Sequence, residues 1–216
     1  MHSNDPLDLL HVDPHWIIVN KPSGLLAVPG KGPDKQDCLS SRVQRLYADA
    51  LIVHRLDMAT SGLMVLARGP EAQRKLNAAF ADRLVNKRYT AIVHGILPPT
   101  YAEWQTIDLP INVDWPNRPL RVIDFAQGKP SVTRVKILSQ DAGASTTRLS
   151  LEPITGRSHQ LRVHLKALGY PILGDALYAP PEILALTPRL MLHATSLQLR
   201  HPAHGAPMDF VRDAPF

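Results

Sequence analysis

Along this chain, short runs of apolar and β-branched residues alternate with stripes of helical period. Trp16-Ile17-Ile18-Val19-Asn20 is closed by Lys21-Pro22-Ser23-Gly24, so a buried strand should deliver its polar end into a turn. From Asp37 the apolar positions Leu39, Val43 and Leu46 recur at i, i+4 and i+7, which predicts an amphipathic helix with Arg42 and Arg45 on its outer face. Leu51-Ile52-Val53 and Leu63-Met64-Val65-Leu66-Ala67 predict two buried strands flanking a polar loop over residues 54–62. Pro70 suits the first turn of a helix, which Leu76, Phe80 and Leu84 continue on one face, with Arg74, Lys75 and Arg83 elsewhere. Lys87 and Arg88 lead into a strand over residues 89–93.

Residues 101–150 carry no strong helical stripe and several strand-like pieces, among them 132–138 and 147–151. Between them Trp115-Pro116-Asn117-Arg118-Pro119-Leu120-Arg121 is too rich in proline for a central strand. Thr155-Gly156-Arg157-Ser158 precedes a helix with Leu161, Leu165 and Leu168 on its apolar face and Gly169 as its stop, and a last strand is expected over 190–199. Strands outnumber helices and the middle has hairpin-like spacing. The pattern predicts an α+β fold with a mixed or antiparallel sheet and peripheral helices, not a repeating βαβ fold.

With 216 residues and 44% hydrophobic side chains, the chain can bury one good core, and its 20 prolines and 12 glycines are spread along the length without marking a linker. It reads as a single domain over 1–216. No internal repeat, phosphate-binding glycine loop or nucleophile-elbow serine is present, which removes several large enzyme classes. Lys and Arg exceed Asp and Glu by 24 − 19 = 5, an excess that favours a polyanionic partner only if a motif supports one. It is densest from Trp115 to Lys136, where Arg118, Arg121, Lys129, Arg134 and Lys136 stand against Asp124 alone. Cys38 is the single cysteine and cannot form an internal disulfide, which fits a reducing cytoplasm. Residues 1–13 carry Asp5, Asp8 and Asp13 and read as neither signal peptide nor membrane span, and no later stretch reaches the roughly 18 apolar residues that a span requires.

Asp57 stands in the polar loop between two hydrophobic strands, where a scaffold can present a reactive carboxylate, although an aspartate in such a loop more often caps backbone amides. Arg55 lies two residues earlier and projects to the same side if the segment is extended. Arg157 at the mouth of a helix reads equally as an anion-binding residue and as a solvated arginine. Tyr89 beside Lys87 and Arg88 suits stacking on a nucleobase, although a tyrosine so placed is more often an ordinary core residue of a strand. The ten histidines do not make a metal site: His159 and His164 are five apart, off the register for two ligands on one helical face, and His201 and His204 flank a proline in a loop.

His54-Arg55-Leu56-Asp57-Met58-Ala59-Thr60-Ser61-Gly62 resembles the HRLDxxTSG signature of the RluA family of pseudouridine synthases. The likeness extends to Asn20-Lys21-Pro22-Ser23-Gly24, Lys87-Arg88-Tyr89, Thr155-Gly156-Arg157-Ser158-His159-Gln160-Leu161-Arg162-Val163-His164 and Gly174-Asp175. These blocks follow the family's order from about Leu10 onwards. They match the catalytic domain without the small S4-like RNA-binding domain that precedes it in some members. Together with Asp114-Trp115-Pro116-Asn117-Arg118-Pro119, this makes the chain most similar to the short members that act on both 23S ribosomal RNA and transfer RNA.

The resemblance implies the pseudouridine synthase fold: a long, mixed, mostly antiparallel sheet with peripheral helices and a central active-site cleft. It implies isomerisation of uridine to pseudouridine with no cofactor and no metal. Asp57 would be the catalytic carboxylate, Arg157 the arginine that pairs with it and Tyr89 the residue that stacks on the target base. Arg55 would fill the space left by the flipped nucleotide. His54, Thr60, Arg118 and Arg121 join it as substrate-binding residues. The expected partner is RNA, with no membrane; the expected state is a cytoplasmic monomer. Two rivals stand beside this reading. A non-catalytic RNA-binding protein of the same fold fits poorly with an intact Asp57, Tyr89 and Arg157. A carboxylate-dependent hydrolase would need a second acidic partner or a metal site.

Overall fold

A computed structural model describes residues 7–216. Of the acidic positions near the N-terminus, Asp5 lies outside the described residues. In chain order, β1 (Asp8–Val12) and β2 (Trp16–Lys21) precede helix α1 (Leu39–Gln44), β3 (Ala50–Ile52), β4 (Ser61–Arg68), helix α2 (Gly69–Ala81) and β5 (Asn86–His94). Then come β6 (Gln105–Asp108), β7 (Ile111–Val113), β8 (Arg121–Ile123), β9 (Val132–Asp141) and β10 (Thr146–Pro153). Helices α3 (Gln160–Ala167) and α4 (Pro181–Leu184) are followed by β11 (Leu192–Arg200) and β12 (Pro207–Val211). Among the described residues, twelve strands and four α-helices make this an α+β protein, as the sequence pattern predicts.

The described residues divide into two compact units, 7–86 with 194–214, and 87–193 with 215–216. In the first, β2 lies between β1 and β4, antiparallel to both, with Val19 opposite Leu9 and Met64. β4 also pairs with β3 and neighbours β11, which β12 borders. Seven of the eight residues of β4 are buried, flanked in the sheet by β2, β3 and β11 and packed on one face against α2. One face packs Trp16, Ile18, Leu63, Val65 and Ala67 against Leu76 of α2.

In the second unit the strand order is β5-β10-β9-β6, each pair antiparallel, with β7 and β8 forming a separate ribbon. Three residues per strand are too few to hold such a ribbon alone. Ile111 and Ile123 instead pack with Val163 of α3 and Tyr178.

Two helices are shorter than their apolar stripes suggest. α1 stops at Gln44, leaving Leu46 exposed, and α2 stops at Ala81, leaving Leu84 exposed. At the end of α2, Arg83 takes a left-handed conformation with φ 59°, which breaks the helix before Leu84 can join its face.

Candidate active site

In the first unit the loop bearing Asp57 is held through its backbone. Lys21 is 0% exposed at the end of β2, and its ammonium donates to the carbonyls of Pro22 at 2.9 Å, Leu25 at 2.7 Å and Met58 at 3.0 Å. A buried charge is tolerated only when its donors are satisfied, so these carbonyls are what permits a lysine here. Ser23 Oγ donates to the carbonyl of Ala59 at 2.7 Å, and the Gly24 amide, at φ 85°, donates to the carbonyl of Met58 at 2.9 Å. The Lys21–Gly24 turn thus grips the two residues that follow Asp57.

The ends of the loop are fixed as well. His54 Nε2 accepts from the amide of Val65 at 3.0 Å, which makes that nitrogen the unprotonated one, and the ring stacks on Phe80 with centroids 4.5 Å apart. The Thr60 amide donates to the carbonyl of Asp57 at 3.1 Å, and Thr60 is 2% exposed. Gly62, the second residue of β4, has φ 115°, and a Cβ there would lie 2.4 Å from the backbone N and O of Ala194 on β11. Asp57 is half-buried in this frame, and Arg55 and Met58 are exposed.

Tyr89 and Arg157 belong to the second unit. Tyr89 is half-buried on β5, in register with Leu151 of β10. Lys87, two residues before it, is held below the usual lysine range by burial. Arg157 is exposed three residues before the start of α3. Its amide donates to Gln160 Oε1 at 3.0 Å, and that oxygen also accepts from the hydroxyl of Thr155 at 2.7 Å. The amide is therefore committed to the fold and is not available to an anion.

Gln160 is the hub of a buried network. Its amide group donates to the Val132 carbonyl and to Thr133 Oγ1, each at 3.0 Å. Thr133 Oγ1 lies 3.0 Å from Nδ1 of His164, whose Nε2 lies 3.0 Å from the carbonyl of Leu109. A carbonyl can only accept, so Nε2 carries the proton and Nδ1 takes the threonine hydroxyl's. His164 is 0% exposed and neutral in this arrangement, and burial lowers its pKa from the ordinary 6.5.

The basic segment forms the β7–β8 hairpin and the strand beyond it. At the hairpin tip Trp115 is 63% exposed and the Arg118 guanidinium lies 4.7 Å from its ring centroid. Arg121 turns its guanidinium onto the carbonyls of Leu120 and Pro119, at 3.1 and 3.3 Å. Arg134 pairs with Glu152 at 2.9 Å and Lys136 with Glu103 at 3.8 Å, so the positive excess narrows to the hairpin and Lys129. Among the described residues no three His, Cys, Asp or Glu side chains are placed to hold a metal ion.

Lys21, Gln160 and Tyr178 carry no chemical signal that singles them out in the sequence. Lys21 and Gln160 lie inside motif blocks, yet their contacts with Met58, Val132 and Thr133, like that of Tyr178 with Arg121, join residues far apart along the chain.

Residues 15–167 match the RNA pseudouridylate synthase family. The dual-specificity RNA pseudouridine synthase RluA of Escherichia coli (strain K12) is 49% identical over 210 residues, covering 97% of this chain and 94% of that protein. The protein of the same name from Yersinia pestis is 48% identical over 208 residues, covering 96% and 99%. Among solved structures, human RNA pseudouridylate synthase domain containing 1 aligns with a TM-score of 0.81 at 28% identity, over 100% of this chain and 87% of that one. Human RNA pseudouridylate synthase domain containing 4 aligns at 0.73 and 28% identity, over 96% and 88%. Sustained identity over nearly the whole length, with the Asp57 loop inside the matched residues, establishes that the chain belongs to the RNA pseudouridylate synthase family.

Proposed function

We propose that this RNA pseudouridine synthase isomerises uridines in structured RNA loops, in 23S ribosomal RNA and in the anticodon stem-loop of transfer RNA, with Asp57 as the reacting carboxylate. The observation that carries this reading is 49% identity over 97% of the chain to a protein named for dual specificity. The reaction breaks the bond from C1′ to N1, turns the base and joins C1′ to C5. C5 loses a proton and N1 gains one, so atoms and electrons balance with no redox partner. Asp57 acts either as nucleophile at C1′ or as base toward the 2′ proton, giving a glycal.

Tyr89 and Arg157 take the roles that the residue-by-residue match gives them, the first stacking on the base and the second serving as the family's active-site arginine. Arg55 fills the place of the flipped nucleotide, Arg118 and Arg121 grip the backbone, and His54 and Thr60 shape the loop that meets the substrate. Flipping costs a few kcal/mol and least where the base is already unpaired, which favours loops over duplexes. We take residues 1–216 to act as one catalytic domain, as a monomer in the cytoplasm, without cofactor.

The test is tritium release from RNA labelled at uridine C5, extracted from cells lacking the enzyme. The protein should release tritium and Asp57→Asn should not. Absence of release by the unaltered protein would reject the function, and undiminished release by Asp57→Asn would reject the role of Asp57.

A further inference from the structure

Tyr178 joins two parts of the second unit through a single hydroxyl. It is 4% exposed, and its oxygen lies 3.0 Å from the amide of Arg121, the first residue of β8, and 2.7 Å from Nδ1 of His159. An amide N–H can only donate, so the phenol oxygen accepts from Arg121. The phenol's own proton goes to His159 Nδ1 when the histidine proton is on Nε2, and with the other tautomer the phenol accepts from Nδ1–H. Burial, the largest influence on Tyr178, pushes its pKa up to about 12, which keeps that proton in place at neutral pH.

Each end of this bridge needs support. His159 precedes α3 in a left-handed conformation, φ 58°, which costs a non-glycine residue about 1 kcal/mol and persists only where the surroundings impose it. It lies two residues after Arg157, so its backbone sets the path of the turn that carries that arginine. At the other end, β8 is the return strand of the hairpin bearing Trp115, Arg118 and Arg121.

Tyr178 itself is held firmly. Its amide donates to Asp175 Oδ1 at 3.2 Å, and Arg162 lies 5.0 Å from its ring centroid while pairing bidentately with buried Asp175 at 2.8 and 2.6 Å.

We infer that Tyr178 is a positioning residue for the RNA reaction: its hydroxyl fixes the register between the hairpin that grips the RNA backbone and the His159 turn that carries Arg157. This rests on the function proposed above. RNA seated on the hairpin is thereby presented in one orientation to the turn. Small errors in such placement act on the rate at saturation more than on affinity.

The experiment uses Tyr178→Phe in the full chain, which keeps the ring and deletes the hydroxyl. The substrate is a stem-loop RNA with tritium at uridine C5. The single-turnover rate at saturating enzyme should fall about tenfold, while the Kd for the same RNA changes by less than about threefold. Ile111→Val thins the same small core by one methyl group and keeps the hydroxyl, so it should lose stability and keep its rate. At the other end, His159→Leu should lose rate as Tyr178→Phe does. His159→Asn, which can accept from the phenol and tolerates a left-handed backbone, should keep at least about half of it.

A Tyr178→Phe rate within about twofold of the unaltered protein, or an equal loss in Ile111→Val, overturns the inference. So does equal loss in both His159 variants. Release by the unaltered protein with no change in Tyr178→Phe overturns this inference alone. No release by the unaltered protein overturns the proposed function and this inference with it.

Discussion

The ammonium of Lys21 donates to the carbonyl of Met58 at 3.0 Å, so the residue next to Asp57 is tied by a buried charge to the end of β2. The same ammonium holds the Pro22 and Leu25 carbonyls. Lys21→Met keeps the length of the side chain and removes the donors, so the Pro22 and Leu25 carbonyls lose their partner while the Met58 carbonyl keeps only the Gly24 amide. The substitution should cost about 3 kcal/mol of unfolding free energy, measured by urea denaturation. A loss below about 1 kcal/mol would show that the loop does not depend on this lysine.

Much of the fold was legible because hydrophobic period reports burial. β2, β4, β5, β9 and β10 fall where apolar runs predict them, and Gly169 ends α3 at φ 86° as a stop signal should. The ribbon β7–β8 and strand β12 were not legible. Their exposed and half-exposed residues carry little apolar contrast, and their positions are set by Tyr178 and by β11. For the site, the Asp57 loop was legible as a motif, and its physical support was not. Lys21 reaches Met58, and Gln160 reaches Val132 and Thr133, across 27 to 37 positions of the chain, a distance at which no local pattern speaks.

His164 makes stability depend on pH. Its folded pKa lies below the ordinary 6.5 because burial disfavours the charged ring. The unfolded chain therefore binds a proton that the folded chain refuses. The contribution is full above about pH 6.5 and is lost as pH falls from there through the lowered folded value. Stability should decline over that range by at most about 1.4 kcal/mol per pH unit from this group. His164→Gln cannot charge and should flatten the decline. Parallel curves for the two proteins, compared by thermal unfolding from pH 7.5 to 5, would assign the decline to other groups.

Two motif glycines should behave differently from a third. A Cβ at Gly62 would meet the Ala194 backbone at 2.4 Å, and one at Gly174 the Arg189 carbonyl oxygen at 1.9 Å; neither strand nor turn can step aside as a flexible side chain could. Gly62→Ala and Gly174→Ala should each cost about 3 kcal/mol or more, enough to lower the yield of folded protein. Gly24, at φ 85° with nothing within 4 Å of its Cβ position, carries only the conformational cost, and Gly24→Ala should lose about 1 kcal/mol. Equal losses at all three positions, measured by urea denaturation, would refute the close-approach explanation.

Arg118 and Arg121 should account for a measurable share of the salt dependence of RNA binding. Each phosphate contact releases counterions and adds about 0.7 to 0.9 to the slope of log K against log salt. Losing both contacts in Arg118→Ala with Arg121→Ala should reduce that slope by about 1.5, with affinity falling across RNA sequences alike. Arg134→Ala is the informative comparison, because its charge is already met by Glu152 at 2.9 Å and has less counterion release to contribute. Its slope should change by about half a unit or less. Filter binding of a transfer RNA stem-loop over a range of potassium concentrations reads both. A slope unmoved in the double variant, or moved as much by Arg134→Ala, would take the grip on RNA away from the hairpin.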